Sequence, residues 1–183
     1  MTNREFFADS WQRDSKVTAK AFRSLPDDME KLNTHHHPKF RSPWEIVNHI
    51  GPHSREVCQA ISEGKADLVN EGHFDLNSSS IYKSIEEAAQ DVETNAARVA
   101  ELAKACDNNT WTTKMIPVYW NGNKIFEVTL MQFAWIMHND TIHHRGQLSS
   151  YYRNLGVAQP NLFGPTKEEE EAMFAKASEA QPA

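Results

Sequence analysis

The sequence predicts an all-α four-helix bundle with a small β-hairpin between its third and fourth helices and a short C-terminal helix. Three observations predict it. Four long segments carry apolar residues at helical spacing, several of them opening on a capping box. An Asn121-Gly122 pair sits between two β-rich runs, the strongest short hairpin signal a sequence offers. The chain has 183 residues, enough for one well-buried core and one domain, with the core over about residues 3–166 and a helix and tail over 166–183.

In chain order, the first helix is expected from about Asn3 to Leu25, followed by a loop with Pro26 and a histidine-rich loop, Thr34-His35-His36-His37-Pro38. Ser42-Pro43-Trp44-Glu45 joins a capping box to a proline at the first helical position and opens the second helix, about Pro43 to Glu63, before Gly64. Within it, Ile50-Gly51-Pro52-His53 predicts a kink, because Pro52 has no N–H for the carbonyl of Asn48. After a polar loop around Asn77 to Ser80, the box Ser84-Ile85-Glu86-Glu87 opens the third helix, which ends near Cys106. The hairpin covers Met115 to Val128, with Pro117 suggesting an edge strand. Thr129-Leu130-Met131-Gln132 opens a long fourth helix to about Leu155, stopped by Gly156. A last box at Thr166 starts the terminal helix, whose Glu168 to Glu171 run suits the positive end of the helix dipole.

Composition excludes several classes of function. The formal charge is −6, from 19 basic and 25 acidic residues with no basic block, which argues against nucleic acid or an anionic membrane as partner. Cys58 and Cys106 are far apart and read as reduced thiols. No apolar run approaches the ~20 residues of a membrane span, and the N-terminus lacks a signal-peptide core. A cytoplasmic protein is expected. The P-loop, the dinucleotide-binding glycine pattern, the nucleophile elbow and the His-Glu-x-x-His zinc signature are all absent.

The chemistry concentrates at Met137 to Leu148, where three histidines and an aspartate fall between His138 and His144. On a helical wheel centred on Asp140, residues Phe133, Met137, His144, Leu148, Tyr151 and Leu155 lie within about 80°. Asp140 and His144 thus share the face expected to be buried, where a carboxylate and an imidazole need pairing or a metal. His138 at about 160° and His143 at about 300° fall off this stripe. The second helix offers His49 and His53, also spaced i and i+4; His53 lies inside its buried face and His49 at the edge. Two facing helices that each present such a pair are a common way to build a bundle metal site.

The segments Trp44-Glu-Ile-Val-Asn-His49-Ile, Asp140-Thr-Ile-His-His144-Arg-Gly-Gln-Leu-Ser-Ser-Tyr-Tyr-Arg-Asn-Leu-Gly156 and Pro160-Asn-Leu-Phe-Gly-Pro165 resemble the DinB/YfiT-like metalloenzyme family, with the same helix order. The resemblance implies a single metal near one end of the bundle, held by His49, Asp140 and His144. The family's common form has a third histidine where this chain has Asp140. It also implies a divalent ion such as zinc or nickel, a low-molecular-weight thiol, and transferase, isomerase or hydrolase chemistry.

The leading expectation is a metal-dependent thiol transferase or hydrolase acting on a small-molecule substrate. His53 is the candidate base, Arg145 the candidate anchor for a substrate carboxylate, and Gln147 a candidate partner for a ligand residue. Two rivals stay open: a non-catalytic bundle that binds a metal or small ligand, and a structural homodimer with a buried Asp140–His144 pair. The loop His35 to His37 is read as a solvated segment beside the site mouth. Met131, Trp135 and Ile142, at about 200° on the wheel, suggest a homodimer face.

Overall fold

Helical periodicity becomes four packed columns in the computed structural model, which describes residues 1–68, 81–120 and 122–179. The elements run α1 (Asn3–Arg23), α2 (Met29–Leu32), α3 (Pro43–Ile50), α4 (His53–Glu63), β1 (Ala66–Asp67), α5 (Ile85–Ala105), α6 (Asn108–Thr113), β2 (Met115–Trp120), β3 (Asn123–Thr129), α7 (Leu130–Ser149) and α8 (Lys167–Glu179). The loop expected around Asn77 to Ser80, like residue Asn121 of the hairpin turn, lies outside the described residues. α1 packs on α5 and α7, and α4 packs on the same two helices. The first and second columns therefore face each other across the diagonal, and residues 24–42, with α2, make the crossing between them.

The capping chemistry read from the sequence operates at most starts. Ser42 and Thr129 make reciprocal boxes with Glu45 and Gln132, and Thr2 adds one with Glu5. Ser84 caps the N–H of Glu87, while the Glu87 carboxylate accepts from Lys83 N–H instead. Gly64 ends α4 in the left-handed region at φ 72°.

The predicted kink is a full break between α3 and α4. Gly51 is required there by a close approach: a Cβ would stand 2.6 Å from Cε2 of Tyr82. Tyr82 has no room to yield, since its hydroxyl donates to Asp91 at 2.7 Å and accepts from Arg55 at 2.9 Å.

Two expectations need correction. α7 stops at Ser149, not near Leu155, and the chain continues to Gly156 in tight turns. Ser149 and Ser150 donate their hydroxyls to the carbonyls of Arg145 and Gln147. The N–H groups of Ser150 and Tyr151 close i to i−3 bonds. Serine hydroxyls that take helix carbonyls in this way loosen the α ladder. Pro117 lies in the central strand, not at an edge, because the sheet order is β1-β2-β3. The proline is tolerated because β1 is two residues long and pairs only opposite Val118 and Tyr119.

Apolar packing splits into two clusters stacked along the bundle. Trp11, Val57 and Met137 belong to one; Ala19, Ile46, Ile50 and Leu148 belong to the other. Between them each of three columns contributes polar side chains: Asp14 and Thr18 from α1, His49, His53 and Ser54 from α3 and α4, and Asp140, Thr141, His144 and Arg145 from α7. Trp11 Nε1–H donates to Ser54 Oγ across this layer at 3.1 Å. Buried polar groups in such a layer must find partners or a ligand. Among the described residues, no helix is long and apolar enough to cross a membrane.

Candidate metal centre

The break at Gly51–Pro52 sets His49 on the last turn of α3 and His53 on the first turn of α4, and both side chains are buried. From α7, Asp140 and His144 approach them one turn apart. His49 Nε2 lies 3.1 Å from Asp140 Oδ2, and His144 Nε2 lies 3.5 Å from Asp140 Oδ1. The rings of His49 and His144 meet edge to face, with centroids 4.3 Å apart. One ligand-type atom from each of His49, Asp140 and His144 lies within 4.8 Å of the others. Asp140 was expected in the middle of the buried face, yet its side chain is 35% exposed. It stands at the edge of the cluster, where solvent reaches it.

Neighbouring side chains fix the imidazole tautomers. Gln147 Oε1, an acceptor only, lies 2.7 Å from His144 Nδ1, so that nitrogen carries the proton and Nε2 keeps its lone pair. In the same orientation the Gln147 amide nitrogen stands 3.0 Å from His143 Nε2 and donates to that ring. Thr141 donates its hydroxyl proton to the carbonyl of Met137 at 2.9 Å, leaving its oxygen to accept from His53 Nδ1 at 2.7 Å. Neutral His53 therefore keeps its ring lone pair on Nε2, which lies 3.5 Å from Asp140 Oδ2. Burial works against ionisation of Asp140. While the surrounding imidazoles carry their second proton, hydrogen bonds from His144 and His49, with the nearby charges of His53 and His49, outweigh it and hold the carboxyl well below the usual carboxylate range.

A cavity of about 700 Å³ opens beside His144, lined by residues that include His35, Lys39, Phe40, Arg41, Glu45, Gln147 and Tyr151. The histidine-rich loop stands at this mouth, as expected. His36 stacks on Tyr151 with centroids 4.0 Å apart, and His35 Nδ1 lies 2.7 Å from the carbonyl of Phe40. Arg41 is the residue that sequence reasoning missed. Its Nη1 donates to His144 Nε2 at 3.3 Å, and its carbonyl accepts from the Tyr151 hydroxyl at 2.5 Å. It sits in a loop, where helical periodicity gives no signal; its place just before the Ser42 cap was the one available clue.

Arg145 does not reach this centre. Only 2% exposed, it points to α1, where Nη1 donates to the Asp14 carbonyl and to Thr18 Oγ1, both at 3.0 Å. Phe163 covers its guanidinium at 4.6 Å. The anchor role expected for Arg145 is thus replaced by a structural one. The wheel erred because α7 buries two faces, one toward α3 and α4 and one toward α1. His138 belongs to the second face: it is 6% exposed, lies 2.9 Å from Asp14 Oδ2 and is ringed by Phe7, Trp11 and Trp135. Of the residues expected at a dimer face, Met131 and Trp135 are partly buried against the core and Ile142 is exposed.

Burial pushes the His138 pKa down more strongly than Asp14 pulls it up. The unfolded chain then binds this proton more readily than the folded one. Stability from His138 is complete above its unfolded value of about 6.5 and is lost as pH falls below it. Melting temperatures from pH 8 downward, compared between wild type and His138→Gln, should show a steeper acid-side decline in wild type starting near pH ~6.5. Parallel curves would remove His138 from the account.

The family model of the DinB family matches residues 1–179 of this chain. The uncharacterized protein YrdA of Bacillus subtilis (strain 168) is 25% identical over 178 residues, which cover 90% of each chain. Among solved structures, YfiT from Bacillus subtilis superposes with a TM-score of 0.59 at 13% identity, over 86% of this chain and 91% of that one. YfiT is described as a probable metal-dependent hydrolase with an unusual four-helix bundle topology.

Proposed function

We propose that this chain, which belongs to the DinB family, is a metal-dependent enzyme that acts on a small molecule, with a single divalent ion held by His49, Asp140 and His144. One observation carries the reading: three ligand-type atoms from two helices converge within 4.8 Å, and one of the three residues, His144, lines a 700 Å³ cavity. The donor set fits. Two imidazoles and a carboxylate suit zinc and its neighbours, and three protein ligands leave a position for substrate. His144 is already in the ligating tautomer, with its outer nitrogen bonded to Gln147 in the manner usual for metal-binding histidines. The depressed pKa of Asp140 keeps it anionic wherever an enzyme works.

When bound, a divalent ion there would acidify a water or thiol and polarise an electrophile. The remaining roles fall to this chain's own groups. His53 Nε2, which carries the lone pair in the neutral tautomer, takes up a proton at the centre, and Thr141 keeps the ring facing it. The cavity admits the substrate past Phe40 and Tyr151. Thiol transfer to a small electrophile is the first reaction class and hydrolysis the second, the latter favoured by the description of YfiT. The test is a pair of assays on zinc-reconstituted protein: a small thiol with chlorodinitrobenzene, and hydrolysis of nitrophenyl acetate. Metal-dependent acceleration of either, lost in His144→Ala, is expected. Fully metal-loaded protein that accelerates neither would count against turnover and favour a binding bundle.

A further inference from the structure

We propose that Arg41 is a metal-displaced anion anchor: it holds the ligating nitrogen of His144 while the ion is absent and, once displaced, binds a carboxylate of the incoming small molecule. The inference rests on the proposed metal site and adds to it the class of ligand and the residue that recognises it.

The geometry forces a competition. His144 Nδ1 is committed to Gln147, so Nε2 has a single in-plane lone pair. That lone pair now accepts from Arg41 Nη1 at 3.3 Å. A metal ion needs the same lone pair, so ligation by His144 and the Arg41 hydrogen bond exclude each other. A divalent cation also repels a guanidinium at this range.

What happens to the displaced side chain follows from its surroundings. The backbone of Arg41 is pinned by the Tyr151 hydroxyl on its carbonyl, so the side chain moves and the loop stays. It lines the 700 Å³ cavity together with Lys39 and His35, and among the described residues of that wall Glu45 is the acid. Glu45 is already engaged by the Ser42 N–H at 2.7 Å in its capping box. A freed guanidinium beside Lys39 is a ready fork for a carboxylate. Metal and carboxylate should then bind with positive coupling, each removing a cost for the other.

The experiment titrates zinc into metal-free protein against a chromogenic chelator, with and without a propionate probe. Wild type and Arg41→Met are compared, with Arg41→Lys as a second variant and circular dichroism as the folding control. Without propionate, Arg41→Met is expected to bind zinc about tenfold more tightly than wild type, because the competitor for His144 is gone. Propionate is expected to tighten zinc binding in wild type by about tenfold and to leave Arg41→Met unchanged. Equal zinc affinity in the two proteins overturns the competition. An equal propionate effect in both overturns the anchor, since the anion would then be reaching the metal directly. Absence of zinc binding in either protein overturns the metal site itself, and this proposal with it.

Discussion

Arg145→Ala is expected to lower the stability of the fold by about 3–5 kcal/mol and to leave zinc affinity unchanged. The guanidinium is 2% exposed and bonded to the Asp14 carbonyl and Thr18, and Asp14 offers the nearest opposing charge. Removing it strips the charged donor from the buried Asp14 carbonyl and Thr18 hydroxyl and weakens the charge compensation of the Asp14 carboxylate, which keeps His138 at 2.9 Å and Arg13 at 3.7 Å. Chemical denaturation with zinc titration on the folded variant separates the two effects. A stable variant with weakened zinc binding would return Arg145 to the site and contradict its placement against α1.

Asp140→Ala should act in the opposite way. Asp140 stands 3.1 Å from His49 Nε2 and 3.5 Å from His144 Nε2, and its side chain is 35% exposed, so the packing cost is small. Zinc affinity is expected to drop by at least about a hundredfold. The thermal response should follow: zinc at a hundred times its dissociation constant stabilises wild type by about 2.7 kcal/mol and the variant by far less. Equal zinc-dependent shifts in melting temperature would show that the ion binds elsewhere. The reverse outcome, a severe loss of stability with zinc binding intact, would favour a buried structural pair.

Much of the fold was legible because its signals are local. Capping boxes at Ser42 and Thr129, the glycine stop at Gly64 and the Gly51-Pro52 interruption each act within one turn of helix. The end of α7 was not legible, since Ser149 and Ser150 compete for carbonyls in a segment whose apolar period continues to Leu155. Pro117 misled because its tolerance depends on the length of a neighbouring strand distant in sequence.

The candidate site divides in the same way. The i, i+4 pairs His49/His53 and Asp140/His144 could be read from spacing, and the structure brings all four together. A wheel assumes one buried face, and α7 has two. Arg145 was therefore misplaced as a substrate anchor, while His138, off the metal stripe as its angle implied, is buried on the second face against α1. Arg41 comes from a loop that reaches the centre only through the tertiary fold, so no periodicity marks it.

The central claim is that His49, Asp140 and His144 form one divalent-metal site, and direct competition for zinc tests it best. Metal-free wild type and His144→Ala, both prepared without a polyhistidine tag, would be titrated against a chromogenic chelator. Wild type is predicted to take up one zinc per chain, with His144→Ala weakened by at least about a hundredfold. Equal affinity and stoichiometry in the two proteins would contradict the site.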